Sequence, residues 1–115
     1  MMERATRLAN LYDVYAMLLT ERQREWMELH YFEDLSLAEI AEQFGVTRQA
    51  VHDNLRRAEE QLESYERVLH LLSARDRRVG LLHRLRALCE ERTASPTPAQ
   101  QERILQLVDE LLREG

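Results

Sequence analysis

The chain has 115 residues, with sixteen basic groups, all of them arginine, against twenty-one acidic ones, for a net charge of −5. Without lysine it can form no Schiff base and no Walker-type phosphate loop, and three glycines (Gly45, Gly80, Gly115) do not make a dinucleotide loop. Cys89 is the only cysteine, which excludes an intrachain disulfide and a multi-cysteine zinc site.

Taken in chain order, the elements are helical throughout. Leu8, Leu11, Tyr12, Tyr15, Leu18 and Leu19 follow the helical period and predict a first helix over about 3–19. Thr20 with Gln23 makes a capping box that opens a second helix carrying Trp26 and Met27. After the acidic turn Glu33-Asp34, Ser36 with Glu39 makes a second box, and the short third helix spans Leu37 to Phe44, stopped by Gly45. Thr47 is a good N-cap for a fourth helix.

That fourth helix should be long. Val51, Leu55, Ala58, Leu62, Tyr65, Leu69 and Leu72 alternate at spacings of four and three, a heptad seam. With no Gly or Pro between Val46 and Val79, the helix is expected to run to about Arg75, roughly 40 Å. A seam that long needs a cover, either the C-terminal third of the chain or the same helix of a second chain. Leucines from Leu81 to Leu88 predict a fifth helix, the segment Thr93 to Pro98 a break, and Ile104 to Leu112 a sixth helix. The fold class is therefore all-α: a helix-turn-helix domain over 1–75 ending in the heptad helix, and a C-terminal helical extension over 76–115.

Leu35 to Ala58 has the spacing of a helix-turn-helix. Ile40 and Phe44 line the inner face, Ala41 is small enough for close approach, Gly45 takes the left-handed turn and Val46 plugs the underside. Val51 and Leu55 return to the same core. In such a unit the outer face of the second helix enters a DNA major groove. Here that face offers Arg48, Gln49, His52, Asp53 and Arg56, with Thr47 as cap and Arg57 near the backbone. Arginine pairs bidentately with guanine, glutamine with adenine, and aspartate accepts from cytosine. The same residues also read as ordinary solvated side chains on an outward face, His52 and Asp53 most of all.

Charge placement sharpens this picture. Residues 1–72 carry eight arginines and fourteen acids, yet Thr47 to Ala58 holds Arg48, Arg56 and Arg57 against Asp53 alone. Nothing else suggests chemistry. Of the four histidines no two lie three or four apart, so no metal site is expected. The carboxylates, including Glu59-Glu60 and Glu63-Glu66, read as solvated helix faces, and Cys89 as a buried thiol. No nucleophile–base pair, enzyme activity or cofactor is expected. No apolar run approaches the ~18 residues of a membrane span, and the charged N-terminus has no signal-like stretch. A cytoplasmic protein without a membrane partner is expected.

The segment resembles region four of bacterial sigma factors. More closely, residues 4–72 resemble the YlxM family of small helix-turn-helix proteins. The residues that carry this are Leu19 to Arg24, Glu33 to Ala41, Thr47 to Asn54 and Leu62 to Glu66. From Ser73 onward the likeness is only that of a leucine-rich helical segment. Members of that family are typically encoded beside the GTPase of the bacterial signal recognition particle. The resemblance thus implies a regulatory or accessory role in that pathway, with DNA or RNA and signal recognition particle components as partners. It implies no catalytic residue. The alternative is an accessory module that docks on the particle's GTPase or RNA without sequence-specific DNA binding. The overhanging seam and the logic of paired half-sites favour a homodimer.

Overall fold

The computed structural model describes residues 2–90 and 96–114, and every regular element in them is helical. The helices are α1 (Met2–Tyr15), α2 (Glu21–Met27), α3 (Leu37–Phe44), α4 (Arg48–Leu69), α5 (Leu71–Glu90) and α6 (Pro98–Glu114). They fall into two compact units, Met1–His70 and Leu71–Gly115. Among the described residues no helix is long and apolar enough to cross a membrane.

In the first unit, α4 packs against α1, α2 and α3. Leu11, Tyr15, Met27, Ile40, Val51 and Leu62 are its largest fully buried side chains, each contributing about 1.5–3 kcal/mol of burial. Ala58 is also fully buried, so a methyl is all that separates α4 from its neighbours there. Val51, Leu55, Ala58 and Leu62 of the heptad seam therefore lie within this core. Their cover is α1–α3, the core to which Val51 and Leu55 were expected to return.

The long helix also ends early. It stops at Leu69, and His70 takes a left-handed backbone (φ 54°), its N–H donating to Glu66 O at 2.9 Å. The expected continuation to Arg75 does not occur, because a left-handed residue closes the helix in the same way a glycine would. Histidine is among the residues that tolerate this conformation, and no Gly or Pro marked it. Leu69 is consequently exposed, whereas Leu72 is buried from α5.

Two further departures adjust the first unit. The first helix ends at Tyr15 and tightens into a 3₁₀ turn over Ala16–Leu18. That turn sends Leu19 into the core and leaves Leu18 53% exposed, so Leu18 is not part of the apolar stripe. α2 runs on into a π-helical turn over Glu28–Phe32, closed by Glu33 N–H donating to Glu28 O at 3.0 Å. The widened turn sets Phe32 against Tyr12, ring centroids 5.4 Å apart. Asp34, in the expected acidic turn, has φ 58°.

α1 and α4 pack together, joined by polar contacts that their apolar periodicity does not reveal. Tyr15 Oη donates to Glu66 Oε1 at 2.6 Å in a buried setting, and Tyr65 Oη donates to Leu18 O at 3.2 Å. Glu66 is 7% exposed, so its reading as part of a solvated face is corrected. In the second unit α5 packs on α6. Pro98 is the first residue of α6 rather than the end of a breaking segment, because proline suits the first helical turn. Thr97 caps it, accepting from Gln100 N–H at 3.2 Å while Gln100 Oε1 accepts from Thr97 N–H at 2.9 Å. Residues 93–95 of the expected break lie outside the described residues. Cys89 is exposed and not a buried thiol, whereas Leu81 of the same helix is buried.

Tyr15→Phe keeps the ring and removes only the hydroxyl. Hydrogen bonds to charged groups contribute about 1.5–3 kcal/mol, so the variant should lose about that much stability in urea unfolding, with an unchanged helical circular dichroism signal.

Candidate nucleic-acid interface

The helix-turn-helix is built from local hydrogen bonds. Ser36 Oγ accepts from Glu39 N–H at 3.0 Å, and Glu39 Oε1 accepts from Ser36 N–H at 2.9 Å, closing the first turn of α3. These bonds hold the Glu39 carboxyl below its ordinary range. At the other end Gly45 is left-handed (φ 65°), with Val46 N–H reaching back to Ala41 O at 3.0 Å. This places Val46 by its backbone. Val46 itself is 37% exposed, so it is not the buried plug expected under the turn. Phe44 meets Trp26 edge-on at 5.7 Å, and Arg22 lies over both rings. Thr47 Oγ1 then accepts from Ala50 N–H at 3.0 Å and opens α4.

Every predicted interface residue, Thr47, Arg48, Gln49, His52, Asp53, Arg56 and Arg57, is exposed. At 100° per residue, Gln49, His52, Asp53 and Arg56 form one strip facing away from Val51, Leu55 and Ala58, with Arg48 and Arg57 at its margins. The strip is loosely cross-linked. Gln49 Nε2 donates to Asp53 Oδ1 at 2.9 Å, His52 Nδ1 lies 3.4 Å from the same oxygen, and Arg56 Nε donates to Glu60 Oε1 at 3.2 Å. Among the described residues, no hydrogen bond or ion pair engages the guanidinium of Arg48 or Arg57. Exposed pairs of the Arg56–Glu60 kind contribute at most about 1 kcal/mol. A phosphate or a base edge can compete with them at small cost.

Beside this strip α1, α3 and α4 and the π turn enclose a groove of about 890 Å³. One wall is acidic, with Glu59, Glu60 and Glu63 on α4, and α1 supplies the counter-charges. Arg4 Nη2 donates to Glu59 Oε2 at 3.0 Å, and Arg7 grips both oxygens of Glu63 at 2.9 Å. Tyr31 Oη also donates to Glu59. Burial first, and this carboxylate second, push the Tyr31 phenol up. Glu59 and Glu63 are therefore engaged across helices and not merely solvated. The signal for this was faint: arginines three apart on one helix and glutamates four apart on another, with nothing to say that the two helices meet.

No group of three His, Cys, Asp or Glu side chains among the described residues could hold a metal ion. The remaining histidines are dispersed, with His30 Nδ1 2.8 Å from Leu35 O in the turn before α3 and His83 exposed on α5.

A family model described as "Putative helix-turn-helix protein, YlxM / p13 like" (UPF0122) matches residues 2–106. The chain belongs to this family. The match reaches well into α6, so the UPF0122 likeness is wider than the sequence resemblance over 4–72. UPF0122 proteins of Oceanobacillus iheyensis and Anoxybacillus flavithermus are 49% and 50% identical to it over 92 residues. Those alignments cover 80% of this chain and 88% and 84% of the relatives. A UPF0122 protein of Bacillus cereus AH187 is 50% identical over 91 residues, covering 79% of this chain and 83% of the relative.

Two outcomes check this geometry. A Cβ added at Gly45 meets nothing within 4 Å, so Gly45→Ala should cost only the left-handed strain, about 1–2 kcal/mol in urea unfolding. The Arg7 guanidinium holds the Glu63 carboxyl below its usual range. A depressed folded pKa stabilises fully above the unfolded value and is lost as pH falls through the folded one. Between neutral and acid pH the unfolding free energy of the wild type should therefore fall more steeply than that of Glu63→Gln.

Proposed function

We propose that this chain is a non-enzymatic regulatory protein that binds nucleic acid through the outward face of α4. The observation that carries the reading is the strip of exposed Gln49, His52, Asp53 and Arg56, bordered by Arg48 and Arg57, on the second helix of a helix-turn-helix. The B-form major groove admits an α-helix, whereas the major groove of A-form RNA is too narrow for side chains to read. Duplex DNA is therefore the first ligand to test, and signal recognition RNA the second. Arg48 and Arg57, at the strip's margins, suit phosphates, and the Gln49–Asp53 pair suits base edges. The acidic wall beside the strip need not repel DNA, because Arg4, Arg7 and Arg56 are paired with it.

The protein acts in the cytoplasm as a homodimer, the arrangement in which two recognition helices meet two half-sites. Its place in the signal recognition particle pathway rests on the gene neighbourhood of the family it resembles. A second reading, docking on the particle's GTPase or RNA, is favoured by the exposed carboxylates Asp13, Glu21 and Glu25 on α1 and α2, which could complement a basic partner.

Electrophoretic and fluorescence titrations against promoter DNA, including that of its own operon, and against signal recognition RNA test the first reading. Arg48→Ala and Arg57→Ala should each weaken binding at constant fold and lower the salt slope by about 1. Absence of binding to every such probe at low salt defeats it. Co-purification of the GTPase that survives nuclease treatment would transfer support to the second reading.

A further inference from the structure

The α5–α6 hairpin leaves large apolar side chains exposed on both of its helices. A groove on one side is lined by Arg77, Gly80, Arg84, Glu110 and Arg113, among others. At 100° per residue, the opposite side of α5 presents Val79 and Leu82, and the opposite side of α6 presents Leu105, Val108 and Leu112. Leu82, Leu105 and Leu112 are 53%, 62% and 73% exposed, and large apolar side chains exposed together in this way mark an interface. Only Leu72, Leu81 and Leu107 of this unit's described residues are buried.

The charges say what fits this surface. α5 carries Arg75, Arg77, Arg78, Arg84 and Arg86 against Asp76 and Glu90, and α6 carries Glu102, Asp109 and Glu110 against Arg103 and Arg113 before its last residue. The basic helix borders Leu82 with Arg75 and Arg86, seven and four residues away, which form exposed and therefore weak pairs with Asp76 and Glu90 of the same helix. The acidic helix borders Leu105 with Glu102 and Asp109, three and four residues away. A hairpin with one basic and one acidic edge around an apolar centre is complementary to itself after a two-fold rotation.

Resting on the homodimer reading, we propose that this face is the dimer interface, two copies stacking their hairpins into an antiparallel four-helix bundle. A two-fold axis along the helices sets α5 of each copy against α6 of the other. Leu82 then meets the level of Val108, and Arg86 the level of Glu102 and Leu105. The apolar centre supplies the association, and the charged edges fix which helix faces which.

Sedimentation equilibrium and multi-angle light scattering on the full chain test the proposal. The wild type should have twice its 13.7 kDa mass, and Leu82→Asp with Leu105→Asp should be monomeric with helical circular dichroism retained. Arg86→Glu and Glu102→Arg should each weaken association about fivefold and restore it when combined. A monomeric wild type overturns both the homodimer and this interface. A dimer that survives Leu82→Asp with Leu105→Asp overturns the interface alone. If that double variant fails to fold, the charge exchange decides, and a combined variant no tighter than the single ones overturns the pairing of α5 with α6.

Discussion

The first unit depends on the burial of one stripe of α4. Val51, Leu55, Ala58 and Leu62 are all inaccessible or nearly so, held by α1, α2 and α3. Because a helix has two sides, fixing this stripe inward fixes Gln49, His52, Asp53 and Arg56 outward, with no further interaction needed to present them. The same helix is thus both the spine of the core and the candidate reading element. Ala58, without a longer side chain, lets the neighbouring helices approach closely enough for the polar contacts that flank the core.

Those contacts also set the electrostatics of the interface. The acid row Glu59, Glu60 and Glu63 follows directly on the basic segment of α4, and left alone it would oppose an anionic ligand. α1 meets it with Arg4 and Arg7, and Arg56 engages Glu60 within the helix. The charge available to a ligand then comes mainly from Arg48 and Arg57 at the margins of the strip. A net charge of −5 describes the whole chain. What meets a phosphate is set by which carboxylates are already matched.

Much of the helix-turn-helix was legible in the sequence because its determinants are short-range. A hydroxyl and an amide three residues apart make the caps at Thr20, Ser36 and Thr47, and a residue without Cβ makes the turn at Gly45. The heptad spacing of α4 was equally legible, and with it the return of Val51 and Leu55 to the helix-turn-helix core. Periodicity reports that a stripe is apolar and not how much of it one core buries, so only the packed helices put Ala58 and Leu62 in the same core. The end of α4 was hidden for a different reason. His70 adopts a glycine-like conformation without being glycine, a choice that residue type alone does not announce.

The sequence by itself determined the helices, their caps, the turn and the outward set Arg48, Gln49, His52, Asp53, Arg56 and Arg57. Each of these follows from interactions within about one helical turn, where residue type and spacing are sufficient. Only the tertiary structure decided that Glu66 is buried under Tyr15, that Glu59 and Glu63 belong to Arg4 and Arg7, and that Leu18, Val46 and Cys89 face outward. The paired residues lie 51 to 56 positions apart. At that separation a contact exists only once the helices have packed, so its partners are chosen by the geometry of the core and not by the local chain.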